Sequence, residues 1–179
     1  MVELDKKTLR KEVRAKLALL SDAEKERRSA DMCHTLKSHI MVAGARVVAL
    51  FSPLGNEPCI WPLVEDLSHS MVVVLPRVEG EIMNFYLYVP ECMSCGEFGI
   101  MEPAGVEAVA PYEIDVMVVP GVAFTTDCDR MGRGKGFYDK YMSQSDFRAV
   151  KIGVCYAEQV VGNLPVEPHD VRMDALIYK

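Results

Sequence analysis

The segment DVMVVP, Asp115–Pro120, indicates what kind of fold this chain adopts. It is a run of apolar, mostly β-branched residues without the alternation of a half-exposed strand. Such runs are typical of strands buried on both faces of a parallel sheet. Three other segments have the same character: RVVALF (Arg46–Phe51), MVVVLP (Met71–Pro76) and VKIGVC (Val150–Cys155). The sequence therefore predicts a sheet built around these buried strands.

Helical periodicity precedes and separates the strands. In the first helix, apolar residues recur at near-helical spacing at Leu4, Leu9, Val13, Leu17 and Leu20. Ser21 and Glu24 then form a Ser-x-x-Glu capping box for a second helix, which we expect to end near Ile40. The predicted buried stripe of that helix is Ala30, Cys33, Leu36 and Ile40. Pro62 suits the first turn of a third helix that ends near Ser68.

The remaining segments complete the predicted fold class. Residues 82–89 and 175–178 predict two further strands, and residues 135–145 can form a helix. Residues 90–113 contain Pro, Gly and few periodic apolar positions, and they predict a long irregular connection. Alternating strands and helices indicate an α/β protein, with one three-layer α/β/α domain over residues 1–179 and a mostly parallel, Rossmann-like sheet.

Charge and hydropathy narrow the class of protein further. The 179 residues carry a net charge of −6, which argues against a general nucleic-acid binder with its broad basic face. No apolar run reaches the roughly 18 residues of a membrane span, and the charged start MVELDKKTLRKEV is unlike a secretory signal. We expect a cytoplasmic protein that binds neither nucleic acid nor membrane, and nothing demands more than a monomer.

One pair of cysteines has the spacing of a metal or redox motif. Cys92 and Cys95 form a CxxC, but the sequence offers no second pair and no suitably spaced histidines for zinc. A redox CxxC also usually lies between a strand and a helix, whereas this one lies in a loop-like stretch. Incidental reduced thiols are the favoured interpretation.

The segment after the third buried strand has the composition of a phosphate-binding loop. It contains RMGRGKGFYDKYM (Arg130–Met142), at the carboxyl end of a strand, where open α/β sheets bind ligands. Gly132, Gly134 and Gly136 permit backbone conformations that a Cβ forbids, so amide groups could converge on a phosphate. The pattern is GxGxG, neither Walker A nor GxGxxG.

Charged residues strengthen this hypothesis without proving it. Arg133 and Lys135 add positive charge, and a helix beginning near Lys135 would direct its positive end to the same place. Asp139 could hold a magnesium ion that bridges phosphate oxygens. The alternative is a flexible surface loop with solvated cations and an aspartate that complements the helix dipole.

The loop and six other blocks resemble one protein family. DRMGRGKGFYDKYM is similar to the motif of 5-formyltetrahydrofolate cyclo-ligases, also called methenyltetrahydrofolate synthetases. The other blocks occur in the family's order: KKTLRKEVR, FSPLGNEP, LPRVEGEIMNF, FGIMEPAG, DVMVVPGVAF and LPVEPHDVRMD. The resemblance implies a mixed sheet and the conversion of 5-formyltetrahydrofolate to 5,10-methenyltetrahydrofolate. It also implies that the reaction consumes ATP, requires Mg²⁺ and releases ADP and phosphate.

The resemblance also implies roles for individual residues. Arg133, Lys135 and Tyr138 would be catalytic, and Glu57 and Leu54 would bind the folate. The implied ATP contacts are Lys6, Lys7, Arg10, Arg130, Met131, Gly132, Arg133, Gly134, Lys135, Gly136, Phe137 and Tyr138, of which residues 133–137 would also approach the folate. The implied metal ligands are Asp139 and Asp170, with Asp174 as the alternative to Asp170.

Other residues and other functions stay open on the sequence alone. Phe85 and Trp61 could form apolar walls, Arg77 could pair with a carboxylate or contact folate, and His169 is expected to play a supporting role. A catalytically silent nucleotide- or folate-binding protein on the same fold is the main alternative. RNA binding through the basic loop is disfavoured by the acidic balance.

Overall fold

The computed structural model describes residues 5–96 and 99–179 of the chain. Its helices are α1 (Lys6–Leu17), α2 (Asp22–Val42), α3 (Trp61–Ser68) and α4 (Phe137–Met142). Its strands are β1 (Val47–Ala49), β2 (Val72–Glu79), β3 (Ile82–Leu87), β4 (Met93–Cys95), β5 (Met101–Pro103), β6 (Ala108–Val109), β7 (Val116–Pro120), β8 (Ala123–Phe124), β9 (Arg130–Met131), β10 (Val150–Cys155) and β11 (Ala175–Tyr178). No helix in these ranges is both long and apolar enough to cross a bilayer.

The central sheet has the strand order β11-β10-β7-β1-β2-β3-β6. Neighbours from β11 through β2 run parallel, whereas β3 is antiparallel to both β2 and β6. The chain leaves β1 for β2 on one side and later returns to β7 on the other. This reversal opens a crevice beyond the carboxyl ends of β1 and β7, where doubly wound sheets bind ligands. The expected mostly parallel, mixed sheet is confirmed.

Successive strand residues point into two separate cores, as a doubly covered sheet requires. Val48 packs with the cluster that includes α1, α2 and α3, whereas Ala49 packs with the cluster that includes α4. The predicted three-layer arrangement is therefore confirmed, with a thin second layer because α4 has only 6 residues.

The first two helices begin where side chains cap their free amide groups. Asp5 accepts the backbone N–H of Thr8 at 3.2 Å, and Ser21 accepts that of Glu24 at 3.3 Å. The buried stripe of α1 matches the prediction at Leu9, Val13 and Leu17, while Leu4 lies outside the described residues.

The predicted stripe of α2 needs one correction. Ala30 is exposed, and Ser29, one position before it, and Met32, two positions after it, are buried instead. Ser29 tolerates burial because its hydroxyl lies 3.1 Å from the Tyr156 hydroxyl and accepts the Cys59 N–H at 3.1 Å. Apolar periodicity alone could not anticipate this satisfied hydroxyl.

Two segments contain more structure than the sequence predicted. The expected irregular connection over residues 90–113 contains β4, β5 and β6, and β4 pairs with β5. The long loop after β7 contains the β8–β9 hairpin. These strands have only 2 or 3 residues each, too few to produce a periodic pattern. All six cysteines are free thiols, and Cys92 and Cys95 are both exposed.

Asp115 ties the amino-terminal ends of β1 and β7 together, and its loss is expected to weaken the fold. Its Oδ2 accepts the N–H groups of Arg46 and Val47 at 2.7 and 2.9 Å. Asp115→Ala should lower the free energy of unfolding by about 1 kcal/mol, a modest value because the carboxylate is solvent-screened. Asp127→Ala, which removes an exposed carboxylate of the β8–β9 turn, is the control and should change it by less than about 0.5 kcal/mol.

The Asp115 contribution should also depend on pH. The two backbone hydrogen bonds, from Val47 and then Arg46, hold the pKa of Asp115 below its ordinary value of 3.8. A depressed folded-state pKa gives stability that is present above the unfolded-state pKa and lost as the pH falls through the folded-state pKa. Urea unfolding should therefore separate wild type from Asp115→Ala at pH 7 but not at strongly acidic pH. An equal gap at both values would contradict this account.

Candidate active site

A cavity of about 950 Å³ opens at the carboxyl ends of β1 and β7. One wall is the loop after β1, and the other is the glycine loop of residues 130–136. The first wall contributes Ser52, Leu54 and Glu57. Lys6 and Arg10 of α1 close one end. Since β1 and β7 are parallel neighbours, their following loops meet here. The sequence predicted a ligand site in the loop after β7, but not that the loop after β1 would face it.

Glycine is needed at these positions of the loop for two different structural reasons. Gly134 and Gly136 have φ values of 101° and 70°, which residues with a Cβ rarely adopt. At Gly132 a Cβ would lie 3.1 Å from Nη1 of Arg130, so close packing is the constraint there. Gly136 is the N-cap of α4, which begins at Phe137, two residues after the predicted start near Lys135.

Glu57 and Arg133 join the two walls of the cavity. Glu57 is only 8% exposed, and its Oε1 accepts hydrogen bonds from Nε and Nη2 of Arg133 at 3.1 and 2.8 Å. Its Oε2 accepts the backbone N–H of Leu54 at 2.9 Å. Nη2 of Arg133 also donates to Oδ1 of Asn56 at 2.8 Å. Glu57, the carboxylate expected to bind folate, and Arg133, the arginine expected to be catalytic, are thus ion-pair partners of each other.

Arg130 and Asp139 form a second ion pair beneath the loop. Arg130 is 6% exposed, and its Nη2 lies 2.8 Å from Oδ2 of Asp139. Its Nη1 donates to the carbonyl of Pro120 at 3.2 Å, and its guanidinium lies 5.6 Å from the ring centre of Tyr138. Oδ1 of Asp139 accepts the N–H of Val171 at 3.1 Å. Arg130 therefore fixes the base of the loop to β7 and α4.

α1 contacts both the glycine loop and the carboxyl-terminal segment. Lys6 Nζ lies 3.0 Å from Oδ2 of Asp170 and 3.0 Å from Oε1 of Glu167. Nε of Arg10 donates to the Gly132 carbonyl at 3.1 Å. Burial alone would raise the pKa of Asp170, but the backbone N–H of Glu167 and the Lys6 ammonium outweigh it and lower that pKa. Asp170 is therefore a carboxylate at neutral pH.

Lys135 and Tyr138 present different chemistry to the cavity. Lys135 is exposed, and within the described ranges it makes no hydrogen bond or ion pair, so its ammonium is available to an anionic ligand. Burial raises the pKa of the Tyr138 phenol, the Glu57 carboxylate raises it further, and Arg130 opposes them. Tyr138 therefore stays protonated and can donate a hydrogen bond, but it cannot serve as a base near neutral pH.

The structure brings most of the predicted site residues together. Met131 and Phe137 line the cavity with the rest of the loop, whereas Lys7 is exposed on α1 outside the lining. Asp170 lines the cavity, and Asp174 instead accepts the Lys151 N–H at 2.7 Å, away from it. Of the two alternative carboxylates, Asp170 has the suitable position.

Three further residues named from the sequence lie outside the cavity lining. Phe85 is fully buried, 6.4 Å from the Tyr138 ring centre, and supports the cavity without lining it. Trp61 packs against Tyr88 at 6.4 Å and does not line the cavity either. Arg77 lies 2.8 Å from Glu79 and is an ion-pair partner.

The sequence analysis did not identify several residues of the cavity lining, nor Asn56, which lies beside the lining. Asn56, which binds Arg133, directly precedes Glu57, and its amide could have been noticed for that reason. Glu102 lines the cavity as a buried carboxylate within the FGIMEPAG block. Glu167 faces Lys6 from the same segment as Asp170. Lys140 and Ser143 of α4 line the cavity with no local signal beyond their helical spacing.

These features define a class of protein. An open α/β sheet with a glycine loop, clustered cations and a buried carboxylate at its switch point is typical of enzymes that hold phosphorylated small molecules. The chain belongs to the 5-formyltetrahydrofolate cyclo-ligase family, which matches residues 2–179. The resemblance seen in the sequence blocks, and the prediction of a 5-formyltetrahydrofolate cyclo-ligase enzyme, are confirmed.

Two solved structures and one relative illustrate the similarity. The 5,10-methenyltetrahydrofolate synthetase of Aquifex aeolicus is 37% identical, with a TM-score of 0.86 over 97% of this chain and 89% of that one. The Mycoplasma pneumoniae 5,10-methenyltetrahydrofolate synthetase is 28% identical, with a TM-score of 0.80 over 97% and 98%. The 5-formyltetrahydrofolate cyclo-ligase of Mycolicibacterium smegmatis is 32% identical over 76% of this chain and 74% of its own.

Proposed function

We propose that this enzyme converts 5-formyltetrahydrofolate to 5,10-methenyltetrahydrofolate at the expense of ATP, releasing ADP and phosphate. The observation that carries the proposal is the cavity itself. Its volume is about 950 Å³, and it is lined by cations from α1 and the glycine loop and by the Glu57 carboxylate, which is bonded to Arg133 of that loop. Carboxylates suit the N–H donors of a pterin, and cations suit a triphosphate.

The chemistry explains why ATP is needed. The formyl oxygen is a poor leaving group, so the γ-phosphoryl group is first transferred to it, with the bond between that phosphorus and the β–γ bridging oxygen breaking. N10 then attacks the activated carbon with its lone pair. The C–O bond breaks, phosphate departs and N10 loses its proton. No protein nucleophile takes part, so catalysis depends on positioning and on neutralising negative charge.

Each loop residue has a role in this scheme. Lys135, which makes no ion pair with the residues that the structure describes, contacts the transferring phosphoryl group, and Arg133 stabilises the charge on the same group. Tyr138 donates a hydrogen bond from its protonated phenol to help position the reacting groups. Lys6 and Arg10 hold the remaining phosphates from α1. Glu57 accepts hydrogen bonds from the pterin, with Leu54 beside it.

The residues present fit a magnesium ion that is bound mainly through the nucleotide. Mg²⁺ commonly uses one or two carboxylates together with phosphate oxygens and water, and it neutralises phosphate charge. Within the described part of the chain, no three His, Cys, Asp or Glu side chains cluster around a metal position. Asp139 and Asp170 nevertheless lie on adjoining segments, because Asp139 accepts the N–H of Val171. They would hold the ion together with phosphate oxygens.

Asp170→Asn and Asp174→Asn form a matched pair of variants that tests this metal role. Asp170→Asn should raise the Mg²⁺ concentration for half-maximal activity about tenfold, because a cavity carboxylate is lost. Asp174→Asn, which lies outside the cavity, should leave it within about twofold. An Mg²⁺ titration of both variants provides the measurement. A shift confined to Asp174→Asn would show that our account assigns the metal to the wrong carboxylate.

The ATP requirement has its own direct test. ADP release, followed by a coupled assay, should equal the methenyl product mole for mole, with neither formed when ATP is omitted. Methenyl product without ADP would refute phosphorylation of the formyl oxygen. The cytoplasmic location, the monomeric state, the domain limits 1–179 and the absence of nucleic-acid and membrane partners stay predictions from the sequence.

A further inference from the structure

The two groups assigned to different substrates neutralise each other in the free protein. Glu57 is buried, and both of its oxygens are engaged, Oε1 by Arg133 and Oε2 by the Leu54 N–H. Arg133 is in turn held by Glu57 and by the amide oxygen of Asn56. A buried carboxylate cannot lose its cation without a replacement donor, because an uncompensated buried charge is strongly unfavourable.

We propose that the Glu57–Arg133 pair is a latch that the folate releases and that Asn56 is the positioning residue that keeps Arg133 in the cavity afterwards. This inference rests on the proposed function and adds how that site is controlled. The pterin N–H donors take over Oε1 of Glu57 and free the guanidinium. Arg133 then turns to the phosphoryl group while Asn56 retains one of its N–H groups.

The latch would limit hydrolysis of ATP by water when no folate is bound. Before the folate binds, the charge of Arg133 is directed at Glu57 and is unavailable to the triphosphate. Water then attacks ATP without the help of Arg133, so hydrolysis stays slow. After the folate binds, the same charge becomes available, and the phosphoryl acceptor in place is the formyl oxygen. Binding of ATP and folate is therefore cooperative, and the coupling must be reciprocal.

The test uses a non-hydrolysable ATP analogue with Mg²⁺, measured by isothermal titration calorimetry without folate. Glu57→Gln should bind the analogue about tenfold more tightly than wild type, since Arg133 is released to the phosphates. Arg133→Met leaves the buried Glu57 carboxylate unpaired and should bind no more tightly than wild type, whereas Glu57→Gln combined with Arg133→Met lacks both charges of the pair and should bind like wild type. Asp66→Asn, which removes the surface pair with Lys37 at 2.6 Å, is the matched control and should change nothing.

Two results of this cycle would overturn the latch. One is an unchanged or weaker affinity in folded Glu57→Gln. The other is tightening over wild type that persists when Glu57→Gln is combined with Arg133→Met, because loss of a nearby negative charge alone would then be its cause. If Glu57→Gln does not fold, the measurement is made on wild type. Adding 5-formyltetrahydrofolate should raise the affinity of wild type for the analogue about tenfold, and an unchanged affinity would refute the latch. Failure of the proposed function would appear separately, as wild type that forms no methenyl product.

Asn56 has a test that a purely structural role would not satisfy. Asn56→Ala should lower kcat about tenfold while both KM values stay within about twofold, because Glu57 still holds Arg133 until the folate arrives. Asn56→Gln, which keeps an amide acceptor, should restore part of kcat. A normal kcat in Asn56→Ala, or a defect confined to KM, would remove Asn56 as a positioning residue.

Discussion

Replacing Lys135 with alanine is expected to lower turnover by about 100- to 1,000-fold, the usual effect of removing one group that stabilises transition-state charge. Lys135 lines the cavity and, within the described ranges, makes no ion pair or hydrogen bond, so its charge is free to act on a ligand. For the same reason its removal should not disturb the fold. Single-turnover kinetics and thermal unfolding of the variant would measure both effects.

Two further variants test whether the positive charge of Lys135 is the property that matters. Lys135→Arg keeps the positive charge with a different shape and should recover part of the activity. Lys11→Ala removes an exposed lysine of α1 that does not line the cavity, and it should turn over like wild type. Near-normal turnover of Lys135→Ala would exclude Lys135 from the mechanism.

Replacing Arg130 with methionine is expected to have the largest effect on stability, about 3–5 kcal/mol. The cause is the Asp139 carboxylate, which is 8% exposed and would lose the cation 2.8 Å from its Oδ2. The Pro120 carbonyl would also lose a donor. Urea unfolding would measure the loss. Arg130→Met combined with Asp139→Asn should recover part of it, since the buried negative charge is then gone.

A surface pair sets the scale for this prediction. Lys37 and Asp66 are 2.6 Å apart, with side chains 42% and 49% exposed, and Asp66→Asn should cost less than about 1 kcal/mol. If Arg130→Met lowered the free energy of unfolding by a similarly small amount, solvent would have to reach the Arg130–Asp139 pair. The burial of Arg130 favours a positioning role over the direct ATP contact expected from the sequence, and that contact stays a prediction.

The main strands and helices could be predicted because their signals are local. Val150–Cys155 matched the predicted bounds, and Pro62 lies in the first turn of α3 as expected. The hairpin of Ala123–Phe124 with Arg130–Met131 could not be predicted, because two-residue strands owe their pairing to tertiary contacts. The same holds for the β4–β5 pair within residues 90–113.

In the candidate site, too, the local features could be predicted from the sequence and the long-range pairs could not. The glycine loop is continuous in sequence, so its composition alone indicated a phosphate-binding function. The Glu57–Arg133 pair joins residues 76 positions apart, and the Lys6–Asp170 pair joins residues 164 apart. No local pattern encodes such pairs, so the sequence predicted each residue separately and did not predict that they neutralise each other.

The proposed reaction can be decided by a spectrophotometric assay of the purified protein with 5-formyltetrahydrofolate, Mg²⁺ and ATP. The methenyl product is followed by its absorbance in the near ultraviolet. We expect an absorbance rise that requires ATP and is strongly reduced in Lys135→Ala. No rise from folded protein that binds ATP would contradict the proposed reaction and leave only a nucleotide-binding site at the glycine loop.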